Sequence, residues 1–313
     1  MKIEKKKIII GIIIFAIIYH IMSPYIGRRF VSSKIDRNSV WYVNDLYMSD
    51  QYYYDNLLND NEKDIYLKLF EATKNYEESI TVNCDVNTAM KIGNAISIDH
   101  PELIYLAYYK YWQTSPVKVE IKYLTTDKTK VKRMVAQIQK IITEVEKNTR
   151  NILGEYEKEL YVYEWLGNNN KYRRNYVDRS DQSAYSALMS GKTTVCAGYG
   201  RAAQILFQNI GIKSYIMLSS DHLWNEVCID GDYYYFDATY TYVTNCNKTI
   251  SYSGLNPTNV SNYYPLYSSV VPELNGTKYN YYEYNDLIIS DVDELEKIIE
   301  KTNNTIDKIR CLF

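Results

Sequence analysis

The clearest pattern begins at Asp127. Val131, Met134, Val135, Ile138, Ile141, Ile142 and Val145 recur at three- and four-residue spacing, with Lys, Arg, Gln and Glu between them. Such a stripe is the core-facing side of an amphipathic helix. Asn59-x-x-Glu62 reads as a capping box, and Ile65, Leu69 and Ala72 continue it at helical spacing. Ser79–Cys84 alternates as a strand does, and Asp85 caps a helix carrying Ala89, Ile92 and Ile96. Two strand-like runs follow, Ile104–Trp112 and Val117–Tyr123. After the Asp127 helix the pattern predicts a helix from Glu155 to Leu166, ended by Asn168-Asn169-Asn170, and a charged loop Lys171–Asp181. A short helix Ser183–Met189 stops at Gly191. A longer one with Ala202, Ile205, Leu206 and Ile210 stops at Gly211. Three strands come next: Lys213–Leu218, His222–Ile229 and Tyr233–Ala238. The stretch from Asn245 to Asn280 reads as irregular, and Asp291–Asp307 as a closing helix.

The amino terminus has a different pattern. Lys5-Lys6-Lys7 precede an apolar run from Ile8 to Met22, extendable to Ile26. No small-residue cleavage site follows, and the extended run reaches the roughly 20 residues needed to span a bilayer. An uncleaved transmembrane anchor is expected. Arg28, Arg29, Lys34 and Arg37 beyond it nearly balance the lysines before it, so charge alone leaves orientation open. A short basic tail held in the cytoplasm would put the body outside the cytoplasm. The expected organisation is a membrane anchor or signal segment over 1–30, a mixed α/β region over 31–150 and a second domain over 151–313.

Composition changes this picture little. The net charge of −2 offers no general field for nucleic acid, which is not expected as a partner. The 35 tyrosines include runs such as Tyr52-Tyr53-Tyr54 and Tyr233-Tyr234-Tyr235. Their abundance alongside Ile, Lys and Asn points to compositional bias rather than a ligand platform. Five cysteines (Cys84, Cys196, Cys228, Cys246, Cys311) form no CxxC pair and no zinc-spaced cluster with histidine. Neither a metal nor another cofactor is expected, and disulfide pairing stays open.

Chemistry concentrates around Cys196. Gly191-Lys-Thr-Thr-Val-Cys196-Ala-Gly-Tyr-Gly200 runs into an apolar-periodic helix, which places Cys196 at or just before a helix N-terminus. There the unpaired N–H groups and the positive dipole end favour a thiolate, and the same N–H groups can hold an oxyanion. Gly198 and Gly200 are expected to clear space for a substrate chain. The chain has three histidines. His20 lies in the apolar segment and His100 about a hundred residues upstream, so His222 remains as the base. Asp230-Gly231 is a two-residue hairpin signal. With that loop Ile229 faces Asp232, His222 faces Thr239, and Asp237 is the diagonal neighbour of His222, roughly 7–8 Å away. A loop one residue longer would turn Asp237 to the other face. Cys228 shares the parity of His222 but lies about 20 Å further along the strand.

These blocks carry a resemblance. Val195-Cys196-Ala-Gly-Tyr199, His222-Leu-Trp224-Asn225-Glu-Val and Tyr235-Phe236-Asp237-Ala-Thr239-Tyr240 resemble, in order, the blocks of the bacterial transglutaminase-like superfamily. Asp99-His100-Pro101-Glu102 resembles a segment in the amino-terminal half of many members. Tyr163-Glu164 stand where relatives often carry His-Asp, and Ser261–Pro272 lacks the histidine often found there. The resemblance implies an α+β, papain-like core with a Cys-His-Asp triad. Carried over, Cys196 is the nucleophile, His222 the base and Asp237 the orienting group, with Trp224 and Tyr199 beside the substrate. The implied activity is acyl transfer through a thioester, by peptide or isopeptide hydrolysis or by transamidation. Its substrates would be peptides or proteins, a cell-wall peptide among them. The alternatives are a non-catalytic surface scaffold and acetyl transfer to small amines.

Overall fold

A computed structural model describes residues 42–43, 46–48, 51–173, 178–189, 191–241 and 265–279. Contacts divide the chain into two compact units, Met1–Asp45 and Leu46–Phe313. In the first, only Tyr42–Val43 is described, as a strand fragment. The expected membrane segment and the expected helix Asp291–Asp307 lie outside the described residues. Among those described, no helix is long and apolar enough to cross a membrane.

The second unit is mixed α/β, and the expected boundary at 150/151 falls inside it. Helices α1 (Tyr52–Leu57) and α2 (Asp60–Lys74) lead into strand β1 (Ser79–Val82), helix α3 (Val86–Asp99), and strands β2 (Leu106–Trp112) and β3 (Val117–Tyr123). The capping box at α2 is complete: Asn59 accepts from the Glu62 N–H, and the Glu62 carboxylate accepts from the Asn59 N–H. Asp85 caps α3 through Thr88. Strands β1, β3 and β2 form an antiparallel sheet with β3 central.

Helix α4 (Lys128–Thr149), capped by Asp127, buries Val131, Val135, Ile138, Ile142 and Val145. This is the stripe read from the sequence. Helix α5 (Glu155–Asn169) follows. The stretch read as a charged loop begins instead with a two-residue strand, β4 (Lys171–Tyr172), parallel to β5 (Thr193–Thr194). A pair this short has no periodicity to reveal it. Between them lie a 3₁₀ turn (Arg179–Gln182) and helix α6 (Ala184–Leu188), capped by Ser183.

The last part is α7 (Cys196–Asn209) and an antiparallel sheet, β6 (Ser214–Leu218), β7 (Leu223–Ile229) and β8 (Asp232–Phe236), with β7 central. Asp230 and Gly231 both have positive φ, 53° and 97°, the signature of a type I′ hairpin. Ile229 therefore pairs with Asp232, and Phe236 with Asn225. Helix α7 packs on the face of β7 that carries Leu223 and Asn225. The Asn225 amide donates to the Gly200 carbonyl at 3.0 Å. On the opposite face Trp224, Tyr215, Met217 and Tyr235 form a second small core, against which Tyr52 and Val271 pack. The tyrosine runs enter this interior: Tyr53, Tyr234 and Tyr235 are all buried.

Candidate active site

Cys196 is the first residue of α7, preceded by Val195 in extended conformation. The Val195 carbonyl accepts from the N–H groups of Gly198 and Tyr199. The N–H groups of Cys196 and Ala197 have no acceptor among the described residues, and they stand beside the sulfur where a developing oxyanion would need donors. The Val195 N–H donates to the Asp181 carbonyl at 3.3 Å, which ties the helix start to the 3₁₀ turn.

Gly198 and Gly200 do not open space for a substrate. Both are buried. A Cβ on Gly198 would stand 2.0 Å from Thr194 Oγ1 and 2.7 Å from the Asp181 carbonyl oxygen, and one on Gly200 would stand 2.2 Å from Leu223 Cδ2. These glycines let α7 sit tightly against β5, the 3₁₀ turn and β7, and so fix where Cys196 points.

His222 immediately precedes β7. Its N–H donates to Ser219 Oγ at 3.0 Å, and its carbonyl accepts from the Ser219 N–H at 2.9 Å. Its Nε2 lies 2.7 Å from Asp237 Oδ2. Cys196 acts on the ring as well, through its side chain and its charge. Since Nε2 is engaged by Asp237, Nδ1 is the nitrogen left for the thiol. Asp237 is 2% exposed. Its Oδ2 also accepts from the Tyr235 hydroxyl at 3.3 Å, and its Oδ1 accepts from the Thr239 N–H at 2.8 Å. Burial works to lower the imidazole pKa. The hydrogen bonds and negative charges of Asp237 and Cys196 outweigh it, and the ring is pushed up to about 10.

Trp224 and Tyr199, expected beside the substrate, are 2% and 1% exposed. The Trp224 ring lies parallel to His222, 5.8 Å between centroids and 15° between planes. It backs the imidazole and offers no open face. Tyr199 lies on the buried side of α7. Cys84 and Cys228 are free thiols, as is Cys196. His100 is fully buried, 2.6 Å from Glu102 Oε1 and stacked on Phe70.

Two charged groups escaped the sequence reading. Arg201, on α7, donates to the Gln182 carbonyl at 2.6 Å. Burial pulls its guanidinium down to about 10, and the charge of Cys196 opposes that pull. Glu226 is 3% exposed on β7, paired with Tyr235 on one side and Tyr215 on the other. Its Oε2 has no hydrogen-bond partner among the described residues, and burial raises its carboxyl to about 8. Arg on a helix and Glu on a strand look like solvated positions in sequence, so nothing local marked either one. Among the described residues no group of three or more His, Cys, Asp or Glu side chains is spaced to hold a metal ion.

The stretch that supplies this geometry, residues 139–238, matches the family model of the transglutaminase-like superfamily. These residues belong to the transglutaminase-like superfamily. Two solved structures are also similar. One, described as a candidate cysteine protease from Cytophaga hutchinsonii, shares 18% identity over 39% of this chain and 50% of its own, with a TM-score of 0.28. The other is a TGase, with 15% identity over 59% of this chain and 55% of its own, and a TM-score of 0.33. The chain therefore spans about half the length of the solved structures it matches. No curated protein matches it. The matched stretch contains Cys196, His222 and Asp237.

Proposed function

We propose that this protein is a thiol acyltransferase acting on peptides or proteins at the cell surface. In this reading Cys196 is the nucleophile, His222 the acid and base, and Asp237 the group that orients and charges the histidine. One observation carries it: His222 Nε2 lies 2.7 Å from the buried Asp237 Oδ2, on a ring whose pKa Cys196 also helps to raise. With the imidazole pushed up to about 10, the proton that leaves the thiol stays on the ring at neutral pH. The sulfur attacks an amide carbonyl, and the oxyanion meets the free N–H groups of Cys196 and Ala197. As the C–N bond breaks, His222 gives its proton to the departing nitrogen and a thioester remains. Water or an amine then attacks the thioester with His222 as base, restoring the thiol and releasing an acid or a new amide. The amino-terminal apolar run would tether this chemistry to a membrane, with the body outside the cytoplasm.

The test has two stages. Iodoacetamide followed by peptide mapping should alkylate Cys196 faster than Cys84 or Cys228, and Cys196→Ala should remove that fast phase while circular dichroism stays unchanged. A glutamine-containing peptide with and without dansylcadaverine should then separate hydrolysis from transamidation by its products. A fast-labelling phase that persists in Cys196→Ala, or no turnover of either kind, would overturn the reading.

A further inference from the structure

A groove of about 750 Å³ runs beside α4, and none of Cys196, His222 and Asp237 lines it. On α4 it is bordered by Lys130, Arg133, Gln137 and Lys140. Their spacing puts them on one helix face, and all four are exposed. Lys192 contributes a further cation from outside α4. Among the described residues none of these four cations is in an ion pair. Lys192 instead lies over the Tyr185 ring, 4.9 Å from its centroid. Tyr185 in turn donates its hydroxyl to Gln137 at 2.6 Å, which ties α6 to α4. The one carboxylate in the groove, Asp178, is already engaged by the Ser180 N–H and feels the charge of Arg173. The groove is thus strongly cationic in a chain whose net charge is −2.

Its other surface is apolar, from Ile104, Leu124, Met134 and Ala136. Cations beside apolar surface suit a ligand carrying both acidic and apolar side chains. A phosphate polymer would satisfy the cations but would lay charged backbone against Leu124 and Met134, at a desolvation cost. From Lys130 to Lys140 the helix rises about 15 Å, a span an extended peptide covers in about five residues. The groove also adjoins the nucleophile through bonded structure. Ser180 lines it within the 3₁₀ turn and Ser183 directly after that turn. The same turn accepts the Val195 N–H at Asp181 and the Arg201 guanidinium at Gln182.

We infer that this groove docks an acidic, apolar-interspersed stretch of the peptide or protein on which Cys196 acts, a substrate class that rests on the acyl-transfer reading above. Charge complementarity sets the preference, and the 3₁₀ turn joins the border of the groove to the start of α7.

The test measures binding apart from chemistry, on the full chain carrying Cys196→Ala. The probe is a fluorescein-labelled hexapeptide, Glu-Leu-Glu-Glu-Leu-Glu, titrated by anisotropy. It should bind, weaken as salt rises, and weaken about tenfold in Lys130→Glu/Arg133→Glu/Lys140→Glu, because reversed rim charges repel the ligand. Lys132→Glu/Lys147→Glu/Arg150→Glu makes the same charge change on exposed α4 and flanking positions outside the groove, and should bind as the parent does. The proposal is overturned if the Gln-for-Glu peptide binds equally well, or if the control triple loses as much. It is overturned too if polyphosphate or duplex DNA displaces the peptide and binds more tightly through the same residues. Failure here leaves Cys196 labelling and turnover in the unsubstituted chain untouched, so the two readings fail separately.

Discussion

Among the described residues, two histidine–carboxylate pairs of nearly equal length differ in everything around them. His222 and Asp237 lie 2.7 Å apart, with the histidine side chain 17% exposed. His100 and Glu102 lie 2.6 Å apart, with neither side chain exposed. The ring of His222 is also acted on by Cys196, a thiol at a helix N-terminus. The ring of His100 lies flat on Phe70, 3.9 Å between centroids. A short histidine–carboxylate bond is therefore no mark of chemistry in itself. What separates the pairs is a thiol acting on the ring and a path to solvent. Glu226 extends the series to a buried carboxylate with no histidine at all, and the three cases can be set against one another by substitution.

The largest contrast should come from exchanging the histidines one at a time. His222→Ala is expected to lower kcat on the glutamine peptide by about 10³, the scale of a lost acid–base group, and to lower the urea midpoint as well, because the buried Asp237 loses its partner. His100→Ala should lower stability alone. Leaving Glu102 buried without its partner should cost about 3–5 kcal/mol in urea unfolding, while kcat per titratable Cys196 stays at the parent value. A large kcat loss in His100→Ala at full folding would erase the distinction between the pairs.

Next in size is Asp237→Asn, expected to lower kcat by less than loss of the histidine does. The pH profile gives the sharper reading. The folded His222 value is raised to about 10 from an ordinary value near 6.5. Its stabilising contribution is therefore complete below about 6.5 and is lost as pH rises through about 10. The alkaline limb of kcat/KM should lie near 10 in the parent and move toward neutrality in Asp237→Asn. An unmoved limb would mean that Asp237 does not charge the ring.

The smallest effect belongs to Glu226. Its folded value of about 8 exceeds the ordinary glutamate value near 4.3. The folded state thus holds a proton that the unfolded state has released, and stability falls as pH rises from about 4.3 to about 8. Glu226→Gln should remove that slope and stabilise the protein at pH 9. Parallel stability–pH curves for the two proteins would show that Glu226 does not carry the buried charge.

Much of this was legible in the sequence where a local rule carries the geometry. The α4 stripe and the Asn59–Glu62 box are period and capping, and both stand as read. Asp230-Gly231 set the β7–β8 register, and with it the side of the sheet on which Asp237 meets His222. What escaped depends on long-range packing. Gly198 and Gly200 looked like room for substrate but are room for Thr194, Asp181 and Leu223. Trp224 and Tyr199 sit in family blocks, yet their rings serve the interior. Arg201 and the cationic groove depend on which elements a 3₁₀ turn happens to join, and no spacing along the chain encodes that.

The Thr239 N–H that holds Asp237 Oδ1 has a practical consequence. Thr239 is 5% exposed, so its amide proton is shielded from solvent and sits one hydrogen bond from the carboxylate that pairs with His222. In a nitrogen–proton NMR spectrum that single resonance would follow the electrical state of the whole site. It would shift when the imidazole loses its proton or when an acyl group occupies the sulfur, and it would do so without a label or a substitution at any of the three residues.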